Sequence, residues 1–327
     1  MTPVEDAARA QLRAALDDRG LLLGEADLVA GIEAAAALGR RLLTDVVERA
    51  YRDVLASRAS VRIAFGHSGT GPRMGMALAF GALVARLVRP VGARPFPDEP
   101  DLLCAVFNLG IGLVDSLCDA SPHEGLPLLC ALGELDLPGL VAPEGGLATT
   151  VCPDLLADPT VAFTVRVVGL FFDQVHSVLS GDDSRGARSR VGLLLADALA
   201  AERRSVGRGS GGDGESLVET SRRTSVLPFQ TLSILAGGAP DGPAWATATA
   251  LGEAMWRVDD LVDVGQDAES GALNSLLVAG GDLDARICVA AREAAEQLAT
   301  ALEVAPGGAA ANARRDLLAC VQSYARL

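Results

Sequence analysis

Lysine is absent from this 327-residue sequence, and all 28 of its basic residues are arginine. A P-loop needs a lysine that reaches the phosphates of a nucleotide, and Schiff-base catalysis needs a lysine amine. Both kinds of chemistry are therefore excluded. Aromatic residues are also scarce, at 4% of the chain, so the core must be built mainly from aliphatic side chains.

Clustered cysteines and an apolar leader are missing as well. The six cysteines lie far apart and form no C-x-x-C pair, which argues against a zinc ribbon and against a disulfide framework. Residues 1–20 are charged and contain no apolar run of the kind that a signal peptide requires. We therefore predict a cytoplasmic protein with free cysteines.

Basic patches and long apolar runs are the remaining absences. The net charge of −14 would repel a phosphate backbone, and no basic stripe is interleaved with aromatic residues, so we predict no binding to nucleic acid. The longest apolar stretches, residues 74–88 and 102–118, contain charged or polar side chains and fall short of the roughly 18–20 residues of a membrane span. They predict buried helices and no transmembrane segment.

An almost continuous helical periodicity is what the sequence does contain. Half of the residues are hydrophobic, and alanine, leucine and valine recur throughout, which favours helix over strand. No linker divides the chain into halves of different composition, so we predict an all-α fold, a single-domain bundle of about ten or more helices spanning residues 1–327. The predicted helices cover residues 4–18, 26–58, 73–89, 99–119, 160–180, 187–203, 221–236, 243–266, 282–303 and 308–326.

One polar segment interrupts this pattern. Residues 203–216 (RRSVGRGSGGDGES) are rich in glycine and serine and too poor in apolar side chains to pack in a core. We predict a flexible surface loop there, which is either a lid that orders over a bound substrate or a neutral insertion.

A first acidic cluster lies in the otherwise apolar helix predicted around residues 99–119. Asp115 and Asp119 are four residues apart, so their carboxylates share one helix face about one turn from each other. Like charges at this spacing repel each other.

A second acidic cluster follows an apolar run in the sequence WRVDDLVDVGQD, residues 256–267. Asp259, Asp263 and Asp267 continue a row with a spacing of four residues. Asp260, Asp263 and Asp267 follow a spacing of three and then four. Either set of three shares a helix face.

A bound cation would compensate the repulsion in both clusters. Carboxylates buried among leucine and valine are costly without one, and Mg²⁺ takes hard oxygen ligands from one or two carboxylates and completes its shell with waters and substrate phosphates. Two clusters that face each other would hold a diphosphate through Mg²⁺. The alternative is that each cluster is a solvated helix face or an acidic first turn.

At these residues the sequence resembles the class I isoprenoid synthase superfamily, which includes trans-prenyl diphosphate synthases and terpene cyclases. Residues 115–119 (DSLCD) are similar to the family's first motif, DDxxD, with Ser116 in place of the second aspartate. Residues 259–263 (DDLVD) match the second motif of the prenyl synthases. Asp260, Asp263 and Asp267 fall at the three ligand positions of the second motif of the cyclases.

A segment between the two motifs adds to the resemblance. Residues 221–229 (SRRTSVLPF) are similar to the family's K-T-x-x-L-F segment, which contacts the diphosphate. Arg223 stands in place of the lysine, beside Arg222 and Thr224, and an arginine fork suits phosphate oxygens. The alternative is a charged helix start after a loop.

The resemblance favours a cyclase over a chain-elongating synthase. Residues 71–73 (Gly-Pro-Arg) are similar to the G-K-R region that holds isopentenyl diphosphate, but the lysine is missing. The first motif is also not followed by the arginines of elongating enzymes. Two rival functions stay open, an elongating prenyl diphosphate synthase and a non-catalytic partner subunit of such a synthase.

The resemblance implies a carbon–oxygen lyase in which three Mg²⁺ ions hold a prenyl diphosphate until the diphosphate leaves as an anion. It implies catalytic roles for Asp115, Asp119, Asp260 and Arg223, with Asp259, Asp263 and Asp267 as further metal ligands. Aromatic faces stabilise an allylic cation, and core packing is the alternative for each candidate. The candidates are Phe80, Phe107, Phe163, Phe171, Phe172, Phe229 and Trp256, and of these Phe107, Phe229 and Trp256 are the predicted substrate contacts. We expect a C20 substrate, geranylgeranyl diphosphate or a cyclised C20 diphosphate, because the predicted lining is small and aliphatic. A homodimer is the assembly that the family suggests.

Overall fold

The all-α prediction is confirmed by a computed structural model, which describes residues 2–50, 70–90, 99–140, 146–179, 185–206, 214–278, 280–306 and 311–327. These parts of the chain contain α-helices and short 3₁₀ turns and no strand. The α-helices are α1 (Pro3–Asp18), α2 (Glu25–Ala50), α3 (Thr70–Val88), α4 (Glu99–Ala120), α5 (Pro122–Gly133), α6 (Pro159–Val178), α7 (Arg185–Val206), α8 (Gly214–Leu235), α9 (Pro243–Ser270), α10 (Ser275–Val278), α11 (Leu283–Val304) and α12 (Ala311–Tyr324).

Local sequence signals account for several helix ends. Thr2 and Glu5 form a reciprocal capping box at the start of α1. Asp158 and Asp282 accept backbone hydrogen bonds at the starts of α6 and α11. Gly271 ends α9 in the left-handed conformation, with φ 71°, which glycine adopts without strain.

Two helical features differ from the sequence predictions. Helix α5 was not predicted. It contains Pro122 and Pro127, and Pro122 occupies the first turn, where the missing N–H has no helical partner. Residues 203–206 continue α7 and residues 214–216 begin α8, so the predicted loop is helical at both ends. Residues 207–213, and the predicted helix beyond Ala50, lie outside the described residues.

Two acid-bearing helices, α4 and α9, are held by shared neighbours. Helix α4 packs on α3, α5, α6 and α7, whereas α9 packs on α1, α8 and α11. Both α3 and α8 contact α4 as well as α9. The core between them is mostly leucine, valine and alanine, as the composition predicts.

Helix α4 is also long and apolar enough to cross a membrane, by length and composition alone. The stretch from Asp101 to Asp119 is the one such helix among the described residues, and 61% of it is buried inside the protein. Core helices that are mostly buried inside a protein can have the same length and composition.

A close approach between α3 and α4 fixes the position of α4. A Cβ added at Gly81 would lie 2.6 Å from the carbonyl oxygen of Cys104 and 2.7 Å from the Cβ of Asn108. The Asn108 amide donates a hydrogen bond of 2.8 Å to the carbonyl oxygen of Ala77, which joins the same two helices. Only glycine fits at position 81 without moving the helices.

We expect Gly81→Ala to lower the free energy of unfolding by about 1–3 kcal/mol, because overpacking outweighs the better helix propensity of alanine. Gly112→Ala is the matched control, since a Cβ added at Gly112 meets no atom within 4 Å. That control should raise the free energy of unfolding by about 0.5–1 kcal/mol. Denaturant unfolding measures both, and a stabilising Gly81→Ala would show that the helices separate easily.

Candidate active site

Acidic side chains from three helices and one tyrosine lie close together. Asp115 and Asp119 lie in the last two turns of α4, Glu202 near the end of α7, Asp263 two turns before the end of α9, and Tyr324 is the last residue of α12. These side chains act on each other's pKa, so they share one region of the fold.

Asp115 is repelled by acidic side chains from three helices. Burial raises its pKa well above the ordinary value, and Glu202, Asp119, Asp259 and Asp263 raise it further. The α4 carboxylate is therefore surrounded by acids from α7 and α9. The structure thus brings the two acidic clusters of the sequence together.

The α9 acids that face α4 are Asp259 and Asp263. Burial raises the pKa of Asp259 to about 6, although a hydrogen bond donated by the Tyr324 hydroxyl lowers it. Burial also raises the pKa of Asp263 to about 6, and Asp259, Asp267, Glu5 and Asp119 add to the increase. The row with a spacing of four residues is the one that borders the α4 pair.

These carboxylates line a recess. Asp115, Asp119 and Asp259 are exposed to solvent. Desolvation is nevertheless the main cause of the raised pKa of Asp115 and Asp259. Both observations hold together when a side chain is surrounded by protein on most sides and opens to water on one.

Asp260 has a different environment from the one that the cyclase motif implies. It is buried at 4% exposure, and its carboxylate accepts hydrogen bonds from the backbone N–H and the hydroxyl of Ser275, the first residue of α10. Arg257 donates to the same serine hydroxyl at 3.2 Å. The structure places Asp260 in this internal network, so Asp259, and not Asp260, accompanies Asp263 in the row that borders the α4 pair.

Asp267 is the last residue of the α9 row, and a hydrogen bond from the turn after α9 holds its carboxylate. The side-chain amide of Asn274 donates a hydrogen bond of 2.9 Å to its carboxylate. Asp267 is also close enough to Asp259 and Asp263 to raise the pKa of both.

Glu202 and Tyr324 were missed by the sequence analysis. Burial raises the pKa of Glu202 to about 7, and Asp119 adds to the increase. A signal for Glu202 was present, since it follows Leu195 and Leu199 at helical spacing on one apolar face. No spacing links Tyr324 to the acidic motifs, because it reaches Asp259 from a helix 65 residues further along the chain.

An apolar cavity lies next to the acidic recess, between α4, α6 and α7. On α4 its walls come from the two turns before Asp115, and on α7 they come from the two turns before Glu202. Its empty volume is about 450 Å³ with the open mouth included. The lining residues are Phe107, Gly110, Ile111, Val114, Leu132, Leu137, Val168, Phe171, Phe172, Leu195 and Leu199.

Three phenylalanines form one wall of this cavity. The rings of Phe107 and Phe171 lie 5.3 Å apart, and those of Phe171 and Phe172 lie 5.5 Å apart. The lining is therefore apolar, as predicted, but it is bulkier than the small aliphatic lining on which the C20 expectation was based.

The basic segment on α8 is engaged in contacts within the protein. Arg223 pairs with Asp197 on α7 at 3.3 Å, and both side chains are partly exposed. Arg222 donates to Glu253 at 2.7 Å, and the Thr224 hydroxyl donates to the carbonyl oxygen of Ser221. These arginines join α8 to α7 and α9.

Only one of the three predicted aromatic contacts lines the cavity. Phe107 does so. Phe229 is buried against Phe80, with the ring centroids 6.0 Å apart. The Trp256 indole donates a hydrogen bond to the Ser221 hydroxyl, and Arg257 stacks on its ring at 3.8 Å. Phe229 and Trp256 therefore stabilise the contact between α8 and its neighbours.

The acidic recess fits Mg²⁺ by the chemistry of its donors. All the donors are oxygens, and each repels the others in the absence of a cation. No three His, Cys, Asp or Glu side chains among the described residues converge on one point as a ready-made metal cage. Mg²⁺ is usually held by one or two carboxylates, with waters and substrate phosphates as its other ligands, so opposed rows suit it better than a cage does.

The raised pKa of Glu202 predicts a pH-dependent stability in metal-free protein. A carboxyl group with a pKa of about 7 when folded and about 4.3 when unfolded binds more protons in the folded state between these values. Its ionisation therefore destabilises the fold as the pH rises through this interval. Glu202→Gln should raise the thermal midpoint by about 3–6 °C at pH 8 and by much less at pH 5.

Thermal unfolding in EDTA at the two pH values checks this prediction. Glu124→Gln, an acidic residue on α5 whose side chain lies near His123, is the control and should show no such pH-dependent gain. Equal gains at pH 5 and pH 8 would mean that Glu202 is not held among the other acids.

No protein-family model matches this chain, and no curated protein matches it. Among solved structures it is similar to a linalool/nerolidol synthase from Streptomyces clavuligerus in complex with 2-fluorogeranyl diphosphate. The sequence identity is 16%, the match covers 82% of this chain and 94% of the other, and the TM-score is 0.45. At these values the similarity concerns helical architecture alone.

Proposed function

We propose that this protein is a Mg²⁺-dependent class I terpene synthase, a lyase that removes diphosphate from a prenyl diphosphate. The observation that carries the proposal is the juxtaposition of two acidic helix faces with an apolar cavity. Asp115 and Asp119 on α4 face Asp259 and Asp263 on α9, and the cavity begins within two turns of Asp115. The sequence motifs at the same residues support this reading.

The acidic residues would hold Mg²⁺ at the mouth of the cavity, with Asp115 and Asp119 on one side and Asp259, Asp263 and Asp267 on the other. When bound, Mg²⁺ supplies Lewis-acid stabilisation of the charge that develops on the departing diphosphate. Carboxylates that repel each other without a cation bind one strongly, because binding removes the repulsion. The recess thus favours a polyanion only when cations accompany it.

The apolar cavity would take the hydrocarbon chain. Its lining has no charged side chain, so it excludes competing polar ligands and keeps water from an allylic cation. The faces of Phe107, Phe171 and Phe172 can stabilise positive charge through their quadrupoles. Phe171 and Phe172 were among the aromatic candidates from the sequence, and we assign these three rings to the cation in place of Phe229 and Trp256.

Arg223 is the basic residue that we retain as a diphosphate contact. Its partner, Asp197, is well exposed, and an exposed ion pair contributes little, so the guanidinium can exchange this carboxylate for a phosphate oxygen. Arg222 is held more tightly, between Glu253 and Glu219.

The test is incubation of the purified protein with Mg²⁺ and geranyl, farnesyl, geranylgeranyl or copalyl diphosphate, each with and without isopentenyl diphosphate. Hydrocarbon products and released diphosphate are measured. A terpene formed without isopentenyl diphosphate supports the proposal. A longer diphosphate formed only with isopentenyl diphosphate would identify an elongating synthase, and inactivity with every substrate would favour a partner subunit.

The same assay tests the C20 expectation and the cofactor. Removal of Mg²⁺ by EDTA should abolish product formation, and readdition should restore it. The C20 preference is supported if geranylgeranyl or copalyl diphosphate gives the highest kcat/KM, and it is wrong if geranyl diphosphate does.

A further inference from the structure

The turn after α9 carries a buried polar side chain that holds the end of the α9 acidic row. Gly271 adopts a left-handed conformation and reverses the chain, which returns residues 274 and 275 to the side of α9. Asn274 is fully buried there, at 0% exposure. A polar side chain in such a position is retained only if its hydrogen-bonding groups are satisfied.

The hydrogen bonds of Asn274 define which way its amide points. The nitrogen donates to the carbonyl oxygen of Asp260 and to the carboxylate of Asp267, both at 2.9 Å. The oxygen accepts from the backbone N–H of Leu276 at 3.0 Å, as an N-cap residue of α10 does. Both N–H groups of the amide thus donate hydrogen bonds to α9, and one of these bonds fixes the orientation of the Asp267 carboxylate.

We propose that Asn274 is a positioning residue for metal binding, which acts by orienting the carboxylate of Asp267. This inference rests on the proposed function, because it assigns Asp267 to the Mg²⁺ site. A hydrogen bond donated to a ligand carboxylate fixes the rotamer of that side chain before the cation binds. The loss of such a bond typically weakens metal affinity by about 10–100-fold.

The carboxamide is required for this role. Serine at position 274 would still accept a hydrogen bond as the N-cap of α10, but its short hydroxyl cannot reach both Asp260 and Asp267. Asn274→Ser therefore keeps the local fold and removes the contact to the acidic row. Asn274→Ala removes both the cap and the contact.

Mn²⁺ binding, measured by electron paramagnetic resonance in the presence of inorganic diphosphate, tests the proposal without any turnover. Asn274→Ser should weaken Mn²⁺ binding by about tenfold or more, with an unchanged helical circular dichroism spectrum. Ser270→Ala is the matched control, since the Ser270 hydroxyl accepts a hydrogen bond from the Ala272 N–H in the same turn at an exposed position. That control should bind Mn²⁺ like the wild type.

A double-mutant cycle shows whether Asn274 acts through Asp267. In an Asp267→Asn background, Asn274→Ser should cause little further loss of Mn²⁺ affinity. Additive losses, or an unchanged affinity in folded Asn274→Ser or Asn274→Ala, would overturn the inference and leave the proposed function standing. A wild-type protein that binds no Mn²⁺ with diphosphate would overturn both.

Discussion

Asp263→Asn should lower kcat by at least about 10²–10³-fold with any accepted prenyl diphosphate, while the protein stays folded. The carboxylate belongs to the α9 row that faces Asp119, and removal of one preorganised group that stabilises transition-state charge costs about this much. Folding should not suffer, because Asp263 is repelled by its acidic neighbours and its neutralisation relieves that repulsion. Steady-state release of diphosphate at saturating Mg²⁺ measures the effect.

Asp260→Asn is the informative companion variant. Its carboxylate is buried and accepts two hydrogen bonds from Ser275, so its replacement should lower the free energy of unfolding by about 1–3 kcal/mol. Its kcat, measured on folded protein, should stay within about tenfold of the wild-type value, since Asp260 does not border the recess. If Asp260→Asn were as inactive as Asp263→Asn, the metal ligands on α9 would be Asp260, Asp263 and Asp267.

These two variants separate the alternatives that the sequence left open. A step of four residues offsets two side chains by about 40° around the helix and a step of three by about 60°, so both sets of aspartates share one helix face and periodicity alone does not distinguish Asp259 from Asp260. The choice depends on how α9 is rotated against its neighbours. That rotation is set by contacts with α8 and α11, such as the ion pair of 2.7 Å between Arg257 and Glu293.

The same limit explains what the sequence could and could not predict. The helices and the two acidic clusters could be predicted, because both depend on residue spacing within one segment of the sequence. Glu202 and Tyr324 join the site from α7 and α12, and only the packing of distant helices brings them to Asp115 and Asp259. Arg222 was predicted from its place in a motif, but its partner Glu253 comes from another helix.

The convergence of acidic side chains gives the site its electrostatic character. Asp119 lies in the last turn of α4, so its charge adds to the partial negative charge of that helix end. The capping box at the start of α1 lies against Gly265, so that helix directs its positive end toward α9. Positive charge from one helix start does not balance this arrangement, and a multivalent cation does.

The phenylalanine wall of the cavity should determine the length of the prenyl chain that the protein accepts. Phe107 lies eight residues before Asp115 on α4, which places its ring about 12 Å from the acidic end along the helix. Phe171 packs against Phe107 and Phe172 in the same wall. A hydrocarbon chain that extends past this wall needs the rings to move.

Phe171→Leu should therefore raise the ratio of kcat/KM for geranylgeranyl diphosphate over geranyl diphosphate by about tenfold or more, since a few methylene groups in an apolar pocket are worth that much discrimination. Phe163→Leu is the matched control, because Phe163 is a buried phenylalanine of the same helix that does not line the cavity. Both variants should lose similar stability, which thermal unfolding measures. An unchanged ratio in Phe171→Leu, with the variant folded, would show that the chain takes a different path from the acidic recess.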